Sequence, residues 1–177
     1  MIQLFTELQE KKNVRSNLSA LRASLKEATE EQKAQAIEFV RGHEDLVFGF
    51  LQEEDAKTRK NAALLLGDLA VQNALQPLWK AYTREQTLFV KSAYLEAMKA
   101  LHAEEILSQL KDRLAELEGE PVTEENRKHW EAELRALRAI LIQYEGIDTH
   151  HFDIKQKNNH VLLVTNRNHR GILENQT

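Results

Sequence analysis

Histidines gather toward the C-terminal end of the chain, interspersed with basic side chains, and they are the first groups to weigh for chemistry. Four of the seven histidines, His150, His151, His160 and His169, lie there. Imidazoles at metal-ligand spacing would hold zinc, but the chain has no cysteine, the carboxylates nearby include Asp153 and Glu174, and the spacing fits no standard zinc motif. His150 and His151 are adjacent, so on a regular strand they face opposite sides and do not share an ion. No metal is expected, and local partners would fix the tautomers of these histidines. The same segment carries Lys155, Lys157, Arg167 and Arg170. A locally basic stretch of this kind can contact phosphate or RNA. Its only aromatic is Phe152, too little for a base-stacking platform. An ordinary polar turn followed by a helix accounts for the same residues.

A second set of cations, Arg59, Lys60, Lys91, Arg113, Arg127 and Lys128, is a candidate interaction surface. These residues could line a ligand groove. Glutamates are scattered among them and the net charge is -4, which favours a structural role in which Arg59 and Lys91, at equivalent positions, form a ladder along one edge. Asp55 is placed to cap the helix that follows it and to pair with basic side chains in its turn. Trp79, Tyr82, Trp130 and Tyr144 are assigned to the core. The sequence offers no convincing nucleophile, base and orienting group together; Ser92 beside Tyr94 and the lone His102 fit helix packing and surface polarity. No strand runs into a glycine-rich phosphate loop, so no catalytic residue and no cofactor is expected.

Composition narrows the setting of these residues. Lys and Arg number 24 against 28 Asp and Glu, so any contact with nucleic acid or anionic lipid must be local. The lack of cysteine removes disulfides, thiolate metal sites and thiol nucleophiles, and suits a reducing compartment. No apolar run approaches bilayer length, and MIQLFTELQEKK lacks the order of a signal peptide. A cytoplasmic protein without a membrane partner is expected.

With only six glycines and two prolines, Leu and Ala recur at helical spacing, which predicts an all-α body over residues 1–146. EDLVFGFLQ puts Leu46, Val47, Phe50 and Leu51 on one face; after Glu54-Asp55, Ala62, Leu65, Leu66 and Leu69 form another. A shift of 32 residues carries Leu46 to Leu78, Phe50 to Tyr82, Arg59 to Lys91 and Leu66 to Met98, and a further shift carries Leu75 and Leu78 to Leu107 and Leu110. The polar insertion EGEPVTEEN delays the last helix, on which Trp130, Leu134, Leu137, Leu141 and Tyr144 form one stripe. Upstream, residues 1–10 read as a short helix, followed by a helical pair whose second member opens with a Thr29–Gln32 capping box and ends at Gly42. After Gly146 two β-prone runs, around Phe152-Asp153-Ile154 and Val161-Leu162-Leu163-Val164, replace the helical pattern, and residues 147–177 read as a strand-turn-helix tail.

DAKTRKNAALLLGDL resembles the second helix of a HEAT repeat: Asp55, Arg59, Ala62, Ala63, Leu66 and Gly67 occupy the places of its turn Asp, early Arg, small and apolar residues and Leu-Gly. The next unit departs from the pattern, with Lys91 for the Arg and Lys99 for the Gly. The resemblance implies a right-handed α-α superhelix, a HEAT/armadillo-like solenoid that serves as a binding platform. The closing run HVLLVTNRNHRGILENQ, together with TRKNAALLLGDL, TLFVKSAYLEAM and VTEENRKHW, is similar to bacterial RNA methyltransferases that carry a HEAT-repeat region at the N-terminus. That likeness implies an accessory module beside an S-adenosylmethionine-dependent domain, with RNA reached through that domain. The chain itself contains neither the glycine-rich loop nor the Asn/Asp-Pro-Pro-aromatic motif of such enzymes, since Pro77 and Pro121 stand alone. The function expected for this chain is therefore non-catalytic. The alternatives are a stand-alone adaptor that binds another protein and a HEAT-like DNA repair protein, which would need a basic groove holding aromatics and a carboxylate.

Overall fold

The computed structural model describes residues 1–145, 152–157 and 160–165. Its body is helical, and the chain divides into two compact units, Met1–Ile106 and Leu107–Thr177. The expected boundary after residue 146 lies outside the described residues.

The first unit runs through α1 (Ile2–Gln9), α2 (Val14–Leu25), α3 (Glu30–Gly42), α4 (Glu44–Gly49) with a 3-10 turn over Phe50–Gln52, α5 (Ala56–Asp68), a second 3-10 turn over Gln72–Ala74, α6 (Leu75–Arg84), α7 (Leu88–Ala100) and a last 3-10 turn over Ala103–Ile106. Its centre is α5, which packs against α2 on one side and α7 on the other. Ion pairs Arg15–Asp55 (4.0 Å) and Arg22–Asp68 (2.7 Å) join like ends of α2 and α5, so these two helices run in the same direction. The approach of α5 to α7 depends on small residues. A methyl group added at Gly67 would stand 3.0 Å from Ala97 Cα, leaving no space between the backbones. Leu18, Leu21, Phe50, Leu65, Leu66, Leu78, Tyr82, Val90, Tyr94 and Met98 fill the interior and are all but inaccessible to water.

Capping explains where the helices begin. Thr29 and Gln32 exchange side-chain to backbone hydrogen bonds at the start of α3, as the sequence predicts. Asp55 accepts from the Thr58 amide (2.7 Å) and hydroxyl (2.8 Å) at the start of α5. One helix end differs from expectation. Gly42 is the last residue of α3 rather than its cap; His43 takes that place and at once becomes the N-cap of α4, which leaves no room for a left-handed glycine. At the end of α5 the left-handed residue is Ala70, φ 51°, in a Schellman motif with Ala70 N–H donating to Gly67 O and Val71 N–H to Leu66 O. The upstream pairing also differs: α2 packs on α1 and α5, while α3 packs on α4. Asn17 secures the first of these contacts, donating to Glu7 Oε2 (2.8 Å) and Lys12 O (2.9 Å).

In the second unit α8 (Leu107–Gly119) packs against α9 (Arg127–Glu145). The polar insertion between them starts α9 with a reciprocal pair, Thr123 N–H to Asn126 Oδ1 (2.7 Å) and Asn126 N–H to Thr123 Oγ1 (3.3 Å). Trp130 is buried as predicted, and its indole N–H donates to Leu117 O at 2.6 Å. Arg113 lies among Glu133, Glu120 and Glu116, and Arg138 pairs with Glu118. β1 (Phe152–Lys157) and β2 (His160–Thr165) coincide with the two β-prone runs and pair antiparallel, Phe152 opposite Thr165 and Lys157 opposite His160. The turn and helix expected beyond them lie outside the described residues.

Candidate interaction cleft

The first unit has an open cleft of about 820 Å³ between the end of α4 with its 3-10 turn and the outer face of α6. It is built from the turns upward. Asp55 is the N-cap of α5, which places Arg59 one turn into that helix and aims it back at the residues preceding the cap. Its Nη1 donates to the carbonyls of Glu53 and Glu54, both at 2.8 Å. Nε and Nη2 donate to the two oxygens of Glu85 at 2.8 and 3.1 Å. This is a bidentate pair between the first turn of α5 and the turn before α7. Glu85 also accepts from the amides of Gln86 (3.1 Å) and Thr87 (2.9 Å). One guanidinium and one carboxylate thus organise both turns.

Three titrating groups meet at this node. Burial alone would raise the Glu85 carboxyl, but the Arg59 guanidinium and the Thr87 amide outweigh it and hold the group below the ordinary carboxylate value. The same bond to Glu85 raises Arg59. Tyr94, fully buried, is pushed up by burial and then by the Glu85 charge, so it stays a neutral donor. Its hydroxyl donates to Leu51 O at 3.2 Å. Arg59 and Glu85 spend their bonding capacity on each other, on the backbone and, for Glu85, on the Tyr94 hydroxyl at 3.5 Å, which makes the node a clamp.

Above the clamp, Phe48, Pro77, Trp79 and Ala81 give the cleft an apolar stretch, each of them only half-buried. Trp79 therefore departs from the expected core role; it tilts against Tyr82 at 5.3 Å between ring centroids, with Tyr82 taking the buried place. Glu53 and Glu54 stand on one lip, Lys80 and Arg84 on the other.

Of the six candidate surface cations, only Arg59 lines this cleft. Lys60 is half-buried elsewhere on α5. Lys91 places its ammonium over the Tyr82 ring at 5.1 Å. Arg113, Arg127 and Lys128 belong to the second unit, where Arg127 pairs with Glu124 at 2.7 Å and Lys128 is exposed. Lys155 and Lys157 are on β1, whereas Arg167 and Arg170, like His150, His151 and His169, lie outside the described residues. Among the described residues no group of three His, Asp or Glu is placed to hold a metal ion, and no helix is long and apolar enough to cross a membrane.

Sequence reasoning passed over Glu85, Lys80 and Arg84. A signal for Glu85 was present, because the 32-residue shift that aligns the helices carries Glu53 onto Glu85. Comparison with protein-family models, with curated proteins and with solved structures finds no match for the chain.

Proposed function

We propose that the chain is a non-catalytic interaction module, a HEAT-like α-α solenoid acting as the accessory N-terminal region of an RNA methyltransferase. One observation carries the platform part of this reading. α5 is flanked by α2 and α7, and a side-chain clamp spans the turns that precede α5 and α7. Packing one pair on the next in this way builds a continuous core and exposes surfaces between pairs, which is how solenoids bind partners. The methyltransferase part rests on the sequence resemblance alone. The cleft between α4 and α6 favours the second reading, an adaptor for another protein, and both readings make the module a positioning element.

The test for the methyltransferase is the coding sequence beyond codon 177. A continuing frame with a glycine-rich loop and an Asn/Asp-Pro-Pro-aromatic motif supports it, and a stop codon there removes it. Direct RNA contact by this chain is tested by titration with RNA at several salt concentrations. A linear fall of log K with log salt is expected if lysines and arginines meet phosphates, and no binding at low salt rejects that role.

A further inference from the structure

We propose that the cleft beside α6 docks an extended peptide segment of another protein, one that carries an apolar anchor residue and charges of alternating sign. The lips are the reason for the charge pattern. Glu53 and Glu54 are exposed on the α4 side, Lys80 and Arg84 are exposed one helical turn apart on the α6 side, and none of the four has an ion-pair partner among the described residues. Arg59 and Glu85 between them cancel each other. Adjacent side chains of an extended peptide point to opposite sides. A basic residue thus reaches the glutamates while its acidic neighbour reaches Lys80 and Arg84.

The lining fits a peptide in two more respects. Trp79 and Pro77 offer a half-buried apolar surface for an anchor, the arrangement in which binding energy concentrates. Gln52, Gln76 and Gln86 add side-chain amides, each able to donate to a peptide carbonyl and accept from a peptide N–H. The volume lies within the range of ligand sites, about 300–1,000 Å³. Single-stranded RNA fits less well, because its phosphates would face Glu53 and Glu54 as well as Lys80 and Arg84. The proposal rests on the interaction-module reading but not on the methyltransferase, so failure of peptide binding leaves the coding-sequence test standing.

Trp79 supplies the readout, since the other tryptophan, Trp130, is buried. The full chain is titrated with a capped peptide that alternates Lys and Glu around a central Leu, with an isomer of the same composition whose charges are in blocks, and with a short oligouridylate. The alternating peptide should change Trp79 emission saturably and bind several-fold more tightly than the block isomer. Lys80→Glu with Arg84→Glu, both exposed and harmless to folding, should weaken it about fivefold. By calorimetry, Trp79→Ala should weaken it about tenfold or more. Equal binding of the two isomers, indifference to the charge reversal, no saturable change, or a response to oligouridylate in place of peptide would each overturn the proposal.

Discussion

Replacing Glu85 with alanine leaves the Arg59 guanidinium in place with its carboxylate gone. The side chains of the pair are only 16% and 5% exposed, so solvent repairs little of the damage. Breaking a buried pair from one side costs about 3–5 kcal/mol, most of it from the stranded charge. Gln86 and Thr87 also lose the acceptor for their amides, but Arg59 keeps the carbonyls of Glu53 and Glu54. The expected loss therefore falls near the lower end, about 3 kcal/mol, and Glu85→Gln, which keeps shape and one acceptor, should cost about 1.5–2 kcal/mol. Against a total stability of about 5–15 kcal/mol, the alanine variant should show a clear fall in urea midpoint by far-ultraviolet circular dichroism. Replacing both partners by apolar residues, Arg59→Met with Glu85→Leu, should recover part of the loss. The pH dependence has a defined sign. Glu85 titrates lower when folded than its ordinary value of 4.5, so its stabilisation is present above that value and is lost as pH falls through the folded one. The stability gap between wild type and Glu85→Gln should stay constant across about pH 6–8 and narrow on further acidification. A loss below about 1 kcal/mol for Glu85→Ala, or a gap that widens in acid, would refute the clamp.

Three further outcomes follow from single contacts. Gly67→Ala forces a methyl against the Ala97 backbone and should destabilise the chain by about 1–3 kcal/mol in urea unfolding, whereas at exposed Gly42, where an added Cβ meets nothing, the same change should be far milder. Ala70→Gly relieves a left-handed residue at the end of α5 and should stabilise by about 0.5–1 kcal/mol, seen as a higher midpoint, despite the added freedom of the unfolded chain. Trp130→Phe removes the indole bond to Leu117 O and should cost about 1 kcal/mol; in the native chain acrylamide should quench Trp79 and spare Trp130.

Periodicity made the helices legible, because α4 through α9 each carry apolar residues that recur every three or four positions, and most are buried where the pattern places them, although Leu46, Leu107 and Tyr144 are only half-buried. Helix starts were equally readable, since Thr29 and Asp55 cap through their own short side chains. Less legible was whatever depends on the partner of a residue. Trp79 reads as core by type, and only the packing of Tyr82 beneath it leaves the indole at the cleft. Ala70 gives no sign in sequence of a left-handed turn, because glycine is the residue that usually announces one. Arg59 and Lys91 align under the repeat, but their spacing announces neither the carboxylate that Arg59 meets nor the Tyr82 ring beneath Lys91.

The Arg59–Glu85 pair also bears on the cleft. The joint between α5 and α7 is secured by a nearly dry bidentate pair that also fixes the carbonyls of Glu53 and Glu54. The residues fixed by the clamp are thus the ones that form one lip of the cleft, and Glu85 directly follows Arg84, which forms the other. Holding both lips in place before a partner arrives lowers the entropy lost on binding. Loosening the clamp with Glu85→Gln should accordingly weaken binding of the alternating peptide even though Gln at that position touches no charge on the lips, while Lys80→Glu should weaken binding with the urea midpoint unchanged. If Glu85→Gln shifts stability and leaves peptide affinity intact, the clamp serves the fold alone.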